Sequence, residues 1–360
     1  MTTAATKRIE ALVSAMPPEL DGILITSGIN RRYYTGFPSS AGVLLVTRTQ
    51  STFIIDSRYY EAAQGAITGS AVLLQGKLYE QLSELFTVQG VKTLGLEGEA
   101  VSVGDYLRYK DYLPGVQLPM DSGVSAIINK QRRVKSAEEI ENMQAAQKIA
   151  EEVFRHICTV IRPGLTEKQI EMEMSRFARE KGSEANSFSY IVASGPNGSQ
   201  PHAVPGDRKV ERGDLITMDY GCLVNGYCSD MTRTVAVGTV GEKQREVYDL
   251  VLRAQLASLA VVKPGMICRD VDSVARAMID ATAYKGMFGH GLGHSLGLEV
   301  HENPRFSPTD DTVLEPGFVL SVEPGVYVPG ELGVRIEDVV VVTADGCRNL
   351  MTVPKELLIL

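Results

Sequence analysis

Three of the chain's five histidines, His290, His294 and His301, fall within "GHGLGHSLGLEVHENP" (289–304), wrapped in four glycines. Four carboxylates elsewhere stand where strand-like sequence should not hold them. In "DLITMDYGCLVNGYCSDMTRTVAV" (214–237), Asn225-Gly226 between two β-rich runs predicts a type I′ hairpin turn. Residue 224 then faces 227, and the same register sets Asp219 opposite Thr232 with Asp230 diagonally across. Both aspartates share one face, roughly 5–8 Å apart at Cβ. Asp is disfavoured in strands, so they are either solvated on an exposed face or drawn together by a divalent cation.

The C-terminal stretch repeats the anomaly. "FVLSVEPGVYV" (318–328) puts Glu323 at the end of an apolar strand, and "GVRIEDVVVV" (333–342) puts Glu337 inside another. An unpaired carboxylate buried there would cost several kcal/mol. Arg335, two residues earlier on the same face, offers an ion pair; a metal offers the other solution. Four carboxylates carry a charge that two divalent cations balance, and one neutral imidazole completes the set. Oxygen-rich donors with one His and no Cys suit Mn²⁺ or Co²⁺ and admit Zn²⁺. Two such ions about 3.5–4 Å apart, bridged by carboxylates and a water, form a hydrolytic clamp.

Those residues need a scaffold of two parts. The first third alternates strands, "DGILIT" (21–26), "AGVLLV" (41–46) and "STFIID" (51–56), with a helix over 77–90 that closes on Gly90. This reads as an α/β domain over 1–128, with the junction between about 122 and 136. The run "NKQRRVK" before Ser136 reads as a solvated linker. Ser136-x-x-Glu139 is a capping box opening a helix with Ile149, Val153, Ile157 and Val160 on one face. In 129–360, "VIRPGLTEKQIEMEMSRFA" (160–178) lines up with "VVKPGMICRDVDSVARAMI" (261–279). Each precedes a Gly- and His-bearing loop and then acid-bearing strands, which points to an internal duplication.

The bulk numbers fit a soluble enzyme. Of 360 residues, 44% are hydrophobic and 22% charged, and the net charge of -8 argues against nucleic acid as partner. No apolar run reaches the roughly 18 residues of a membrane helix, and "MTTAATKRIEALVSAMPPEL" lacks the apolar core of a secretory signal. Five cysteines without a CxxC pair suggest reduced thiols in the cytoplasm.

"MDYGCLVNGYCSDMTRT", "GHGLGHSLGLEVHENP", "SVEPGVY" and "GVRIED", in this order, resemble the pita-bread metallopeptidases, most closely aminopeptidase P and prolidase. The likeness runs from about 130 to 360, and "NRRYYTGFPSSAG" (30–42) resembles the creatinase-type N-terminal domain of the same family. It implies an α/β N-terminal domain and an α+β pita-bread catalytic domain with a pseudo-two-fold duplication. It also implies Asp219, Asp230, His294, Glu323 and Glu337 as ligands of two divalent ions, with Asp230 and Glu337 bridging. Glu323 would double as general base. His202, His290, His301 and Arg335 would bind substrate, with His202 and His301 aiding catalysis and Arg335 standing beside the bridging glutamate. The four glycines, Gly289, Gly291, Gly293 and Gly297, would permit tight turns. His156 stays a structural histidine.

The implied reaction is hydrolysis of the bond between an N-terminal residue and proline, by a homodimer. Glu323 would take a proton from water and pass it to the leaving nitrogen, while His301 steadies the oxyanion. His290 and His202 would border the proline ring. The rivals are a dipeptidase against an aminopeptidase P, a methionine aminopeptidase-like or creatinase-like hydrolase, and a binding relative without catalysis. The large N-terminal region counts against the methionine enzyme, and the full ligand set against a binding module.

Overall fold

The computed structural model describes residues 3–360. The chain divides into two compact units, one up to Arg132 and one from Arg133.

In the first unit β1 (Gly22–Ile25), β2 (Val43–Thr47), β3 (Ser51–Ile55), β4 (Ala71–Leu74) and β5 (Leu94–Leu96) form one sheet in the order β4-β3-β2-β1-β5. The ladders β1–β2 and β2–β3 are antiparallel; β3–β4 and β1–β5 are parallel. Helices α1 (Ala4–Ala15), α2 (Gly28–Thr35), α3 (Tyr60–Ala66), α4 (Leu78–Gln89), α5 (Val103–Tyr112) and α6 (Val124–Arg133) accompany it. The helical spacing in α4 is realised: Leu82 and Phe86 enter the core with Leu24, Leu45 and Ile54, and Gly90 closes the helix in the left-handed region.

The basic run after α5 is not a solvated linker. It lies mostly in α6, where Arg132 is buried and donates to Asn30 Oδ1 at 2.9 Å, and Lys135 beyond it is buried too. A charge run reads as solvent-facing only while no buried partner is known, and here the partners come from distant sequence.

The second unit opens with α7 (Ala137–Val160), whose Ser136–Glu139 capping box is complete. Ser136→Ala is expected to remove about 1 kcal/mol, a drop of roughly 2–4 °C in thermal melting; an unchanged melt would mean that the cap contributes nothing. The buried stripe of α7 is Met143, Ala146, Ala150, Val153, Phe154 and Ile157, so Ile149 and Val160 from the expected face are only half-buried. Two small alanines let neighbours pack closer on a face that hydropathy alone ranks second.

Helix α8 (Glu167–Glu180) pairs with α7, and α9 (Glu242–Val261) with α10 (Cys268–Asp280). The two Pro-Gly turns are built alike. Gly164 and Gly265 both sit at positive φ, 96° and 84°. Gly164 N–H donates to Val210 O and Gly265 N–H to Leu314 O, each at 2.9 Å. Each stitched segment then enters a strand, β7 (Leu215–Tyr220) or β13 (Val319–Val322).

The first half forms the sheet β10-β7-β6, with β6 (Ile191–Ser194), β10 (Met231–Ala236) and a small hairpin of β8 (Leu223–Val224) and β9 (Tyr227–Cys228). The second half forms β12-β11-β13-β16-β17, with β11 (Gly293–Ser295), β12 (Glu302–Phe306), β16 (Asp338–Val342) and β17 (Cys347–Asn349). A further hairpin pairs β14 (Gly325–Val328) with β15 (Leu332–Arg335). Glu337 N–H donates to Thr232 O at 3.2 Å, tying the start of β16 to β10. Behind the sheets, Val247, Val251, Val271, Leu320 and Val340 belong to one buried core. No helix among the described residues is long and apolar enough to cross a membrane.

Candidate metal centre

The hairpin register holds. Asn225 and Gly226 take φ of 48° and 77°, Val224 faces Tyr227, and Asp219 faces Thr232. The strands break at 221–222 and 229–230, yet Ser229 N–H still donates to Cys222 O at 2.9 Å. Gly221 is required there, because a Cβ would sit 1.9 Å from the Ser229 carbonyl oxygen. Asp230 thus leaves the ladder just before β10 instead of standing within a strand.

Glu323 and Glu337 repeat that placement. Glu323 follows β13, and Glu337 precedes β16. The expected continuous strand over 333–342 is two strands, β15 and β16, with Glu337 at the break. Arg335 therefore does not pair with Glu337. Its Nη2 donates to Asp219 Oδ2 at 2.6 Å, its Nε to Thr232 Oγ1 at 3.1 Å and its Nη1 to the Tyr327 hydroxyl at 2.8 Å. Each half of the duplication thus delivers one acid where a strand departs and one where the neighbouring strand returns.

The histidine comes from β11. Pairing with β12 shifts register between His294, opposite Arg305, and Ser295, opposite Glu302, and such a bulge re-aims a side chain. His294 Nδ1–H donates to Ser295 O at 3.2 Å. That fixes the tautomer and turns Nε2 toward Glu323 Oε1 at 3.3 Å and Asp230 Oδ2 at 3.6 Å. Of the four glycines expected to make tight turns, none has positive φ. Gly293 is needed for closeness, since a Cβ would lie 2.0 Å from Ser321 O; Gly289 meets nothing.

The donor set of this cluster suits a divalent cation. Ligand atoms of Asp230, His294 and Glu337 lie within 4.8 Å of one another. Asp219 Oδ1 and Glu337 Oε1 are buried without a hydrogen-bond partner among the described residues, although the other oxygen of each is well bonded, Asp219 Oδ2 by Arg335 at 2.6 Å and Glu337 Oε2 by Thr232 at 2.8 Å. Burial, then repulsion among the acids, raises the carboxyls of Asp230 and Glu337 well above their ordinary range. Burial raises Asp219 as well, against the pull of Arg335. Burial opposes ionisation of Glu323 too, but the His294 hydrogen bond and charge win and hold it low. Orphaned oxygens and mutually repelling carboxylates fit divalent cations.

The five expected ligands and the three expected pocket histidines lie in the second unit. All but Glu337 line one cavity of about 510 Å³, with Phe188, Tyr190 and Val300 on its apolar wall. Among the described residues His301 makes no hydrogen bond; it meets the His294 ring edge-on at 4.4 Å, and is held neutral, down to about 4, by burial and then by His294 and Arg305. His290 uses both nitrogens internally, Nδ1–H to Gly291 O at 2.8 Å and Nε2 from the Tyr327 hydroxyl at 2.9 Å. It presents its ring, not a donor, to the cavity. His156 lies apart, bonded to Glu173 at 2.5 Å and stacked on Phe177.

Sequence reasoning missed Thr232, Ser321 and Tyr327, which orient ligands and neighbours, and Arg305, which lines the cavity. The signal for Arg305 was present: a cation four residues after His301, just past the histidine motif.

Comparison with known proteins matches residues 141–344 to the model of metallopeptidase family M24. The chain belongs to that family. Residues 8–134 of this M24 peptidase match the creatinase/prolidase N-terminal domain. An uncharacterized Bacillus subtilis peptidase, YqhT, is 42% identical over 95% of this chain and 96% of its own. The solved Xaa-Pro dipeptidase from Bacillus anthracis superposes with TM-score 0.95 at 38% identity, covering 99% of this chain and 100% of that one. The X-Pro aminopeptidase from Thermotoga maritima superposes with TM-score 0.91 at 34% identity, covering 98% and 100%. The fold is therefore the pita-bread fold with a creatinase-type N-terminal domain, and membership implies divalent metal ions as cofactor.

Proposed function

We propose that this M24 peptidase is an Xaa-Pro dipeptidase carrying two Mn²⁺ ions on Asp219, Asp230, His294, Glu323 and Glu337. The observation that carries the dipeptidase reading is Arg305: its exposed side chain lines the ligand cavity, and its guanidinium pairs with no acid among the described residues. A dipeptide's terminal carboxylate is the complement of such a cation. The Bacillus anthracis relative bears the dipeptidase name. The aminopeptidase P reading, favoured by the name of the Thermotoga maritima relative, stays the competitor.

The cations supply Lewis acidity and an acidified water. Glu323, with Oε1 held by Ser321 at 3.1 Å, takes the water's proton as the water oxygen bonds to the scissile carbonyl carbon, and delivers that proton to the proline nitrogen as the C–N bond breaks. Neutral His301 donates N–H to the carbonyl oxygen as charge builds there. His202 and the His290 ring border the proline, and Phe188 and Val300 exclude water. Arg335 aims Asp219 and favours its ionised form against burial. Five free cysteines fit a reducing cytoplasm, and a homodimer is part of the reading.

Arg305→Gln is expected to raise KM for Ala-Pro about 10-fold, the low end for a charged hydrogen bond because the Arg305 side chain is exposed. Its effect on Ala-Pro-Ala should be under about 2-fold, well short of that tenfold step. Wild-type enzyme that prefers the tripeptide, or an unchanged KM, sends the reading to aminopeptidase P.

A further inference from the structure

Lys135 is a buried ammonium outside the ligand set, in the run that sequence alone assigns to solvent. Its side chain is 1% exposed and that of its partner Glu302 7%. Lys135 Nζ donates to Ser295 Oγ at 2.9 Å and to Glu302 Oε2 at 3.1 Å. Those two residues are ladder partners, Ser295 on β11 facing Glu302 on β12, and they form the pair that closes the register shift beside His294.

Both partners adjoin the chemistry. Ser295 follows His294 and gives its carbonyl to the His294 Nδ1–H. Glu302 follows His301, whose ring rests against His294. Glu302 is itself held in place: its Oε1 accepts the Glu299 N–H at 3.3 Å, and Gly297 leaves room for it, since a Cβ there would lie 2.8 Å from that oxygen. Lys135 has its own foundation, its backbone N–H donating to Gly317 O at 2.9 Å just before β13.

Burying an ion pair is a poor source of stability, because desolvation cancels much of the attraction; its better-attested use is to fix register. Here it sits where register changes. We propose that Lys135 is a positioning residue of the metal centre: its ammonium locks the Ser295–Glu302 pair and thereby sets the directions of His294 and His301. This rests on the metal reading above.

The test compares wild type, Lys135→Met and the charge-balanced Lys135→Met/Glu302→Gln by Mn²⁺ calorimetry, thermal melting and Ala-Pro kinetics. Misaligned support of a ligand typically costs 10- to 100-fold in metal affinity or activity, so Mn²⁺ affinity should fall by about 10-fold or more in Lys135→Met. KM at saturating Mn²⁺ should stay within about 2-fold, since a misaligned ligand lowers metal affinity and turnover rather than substrate binding. The double variant should regain melting temperature but not Mn²⁺ affinity, which a purely structural ion pair would not produce. Wild-type Mn²⁺ affinity in either variant overturns the assignment; if Lys135→Met does not fold, the double variant decides alone. Failure of the metal reading shows separately, as wild-type protein that takes up no Mn²⁺.

Discussion

Asp230→Asn is expected to lower kcat/KM for Ala-Pro by at least about 10³-fold while raising the melting temperature of the metal-free protein. The activity loss follows from the charge a dinuclear centre requires: losing cation-based stabilisation removes several kcal/mol, and each 1.36 kcal/mol is tenfold. The stability gain follows from the same group. Asp230 is 4% exposed, and its carboxyl is raised first by burial, then by Glu337, Asp219 and Glu323. Asn keeps the shape and removes the repulsion. Melts in EDTA and steady-state kinetics with added Mn²⁺ read the two signs separately. Full Mn²⁺-dependent activity defeats the ligand assignment; a lower melting temperature in EDTA shows that the carboxylate has a structural partner instead.

That opposition of signs is what made the centre legible in sequence. Acids between β-branched runs, where propensity and burial both disfavour them, marked Asp219, Asp230, Glu323 and Glu337, and the Asn225-Gly226 turn gave the register for the first pair. What stayed hidden depends on long-range neighbours. The two-residue spacing offers Glu337 as an ion-pair partner for Arg335, but the chain leaves β15 between them and the guanidinium meets Asp219, 116 residues away. Lys135 seemed solvated because its carboxylate partner lies 167 residues on. The glycines of the histidine loop were read as conformational, whereas Gly293 answers to a strand carbonyl that no local pattern announces. The duplication was visible in its Pro-Gly turns; its consequence, one acid at a departing strand and one at a returning strand in each half, needed the sheets.

Raising pH should destabilise the metal-free protein and leave the Mn²⁺ form protected. The ordinary values are 3.8 for Asp219 and Asp230 and 4.5 for Glu337, and all three are raised in the fold, chiefly by burial. Above those ordinary values the native state therefore holds more protons than the unfolded chain, and stability falls as pH climbs toward the raised values. Glu323, whose carboxyl is lowered, contributes the opposite sign only on acidification below its ordinary 4.5, and His290 and His301, lowered from 6.5 by burial, oppose the three raised carboxyls between pH 5 and 6.5, so the fall is read above pH 6.5. Cations replace the protons. At a Mn²⁺ concentration about 1,000 times Kd, binding adds about 4 kcal/mol, or roughly 10 °C in melting for a unit of this size. At pH 5, where protons compete for the same oxygens, the Mn²⁺ increment should shrink well below its value at pH 7.5. Melts at both pH values, in EDTA and in Mn²⁺, give the four numbers. A Mn²⁺ increment equal at both pH values would mean that these carboxylates are not the ones that hold the metal.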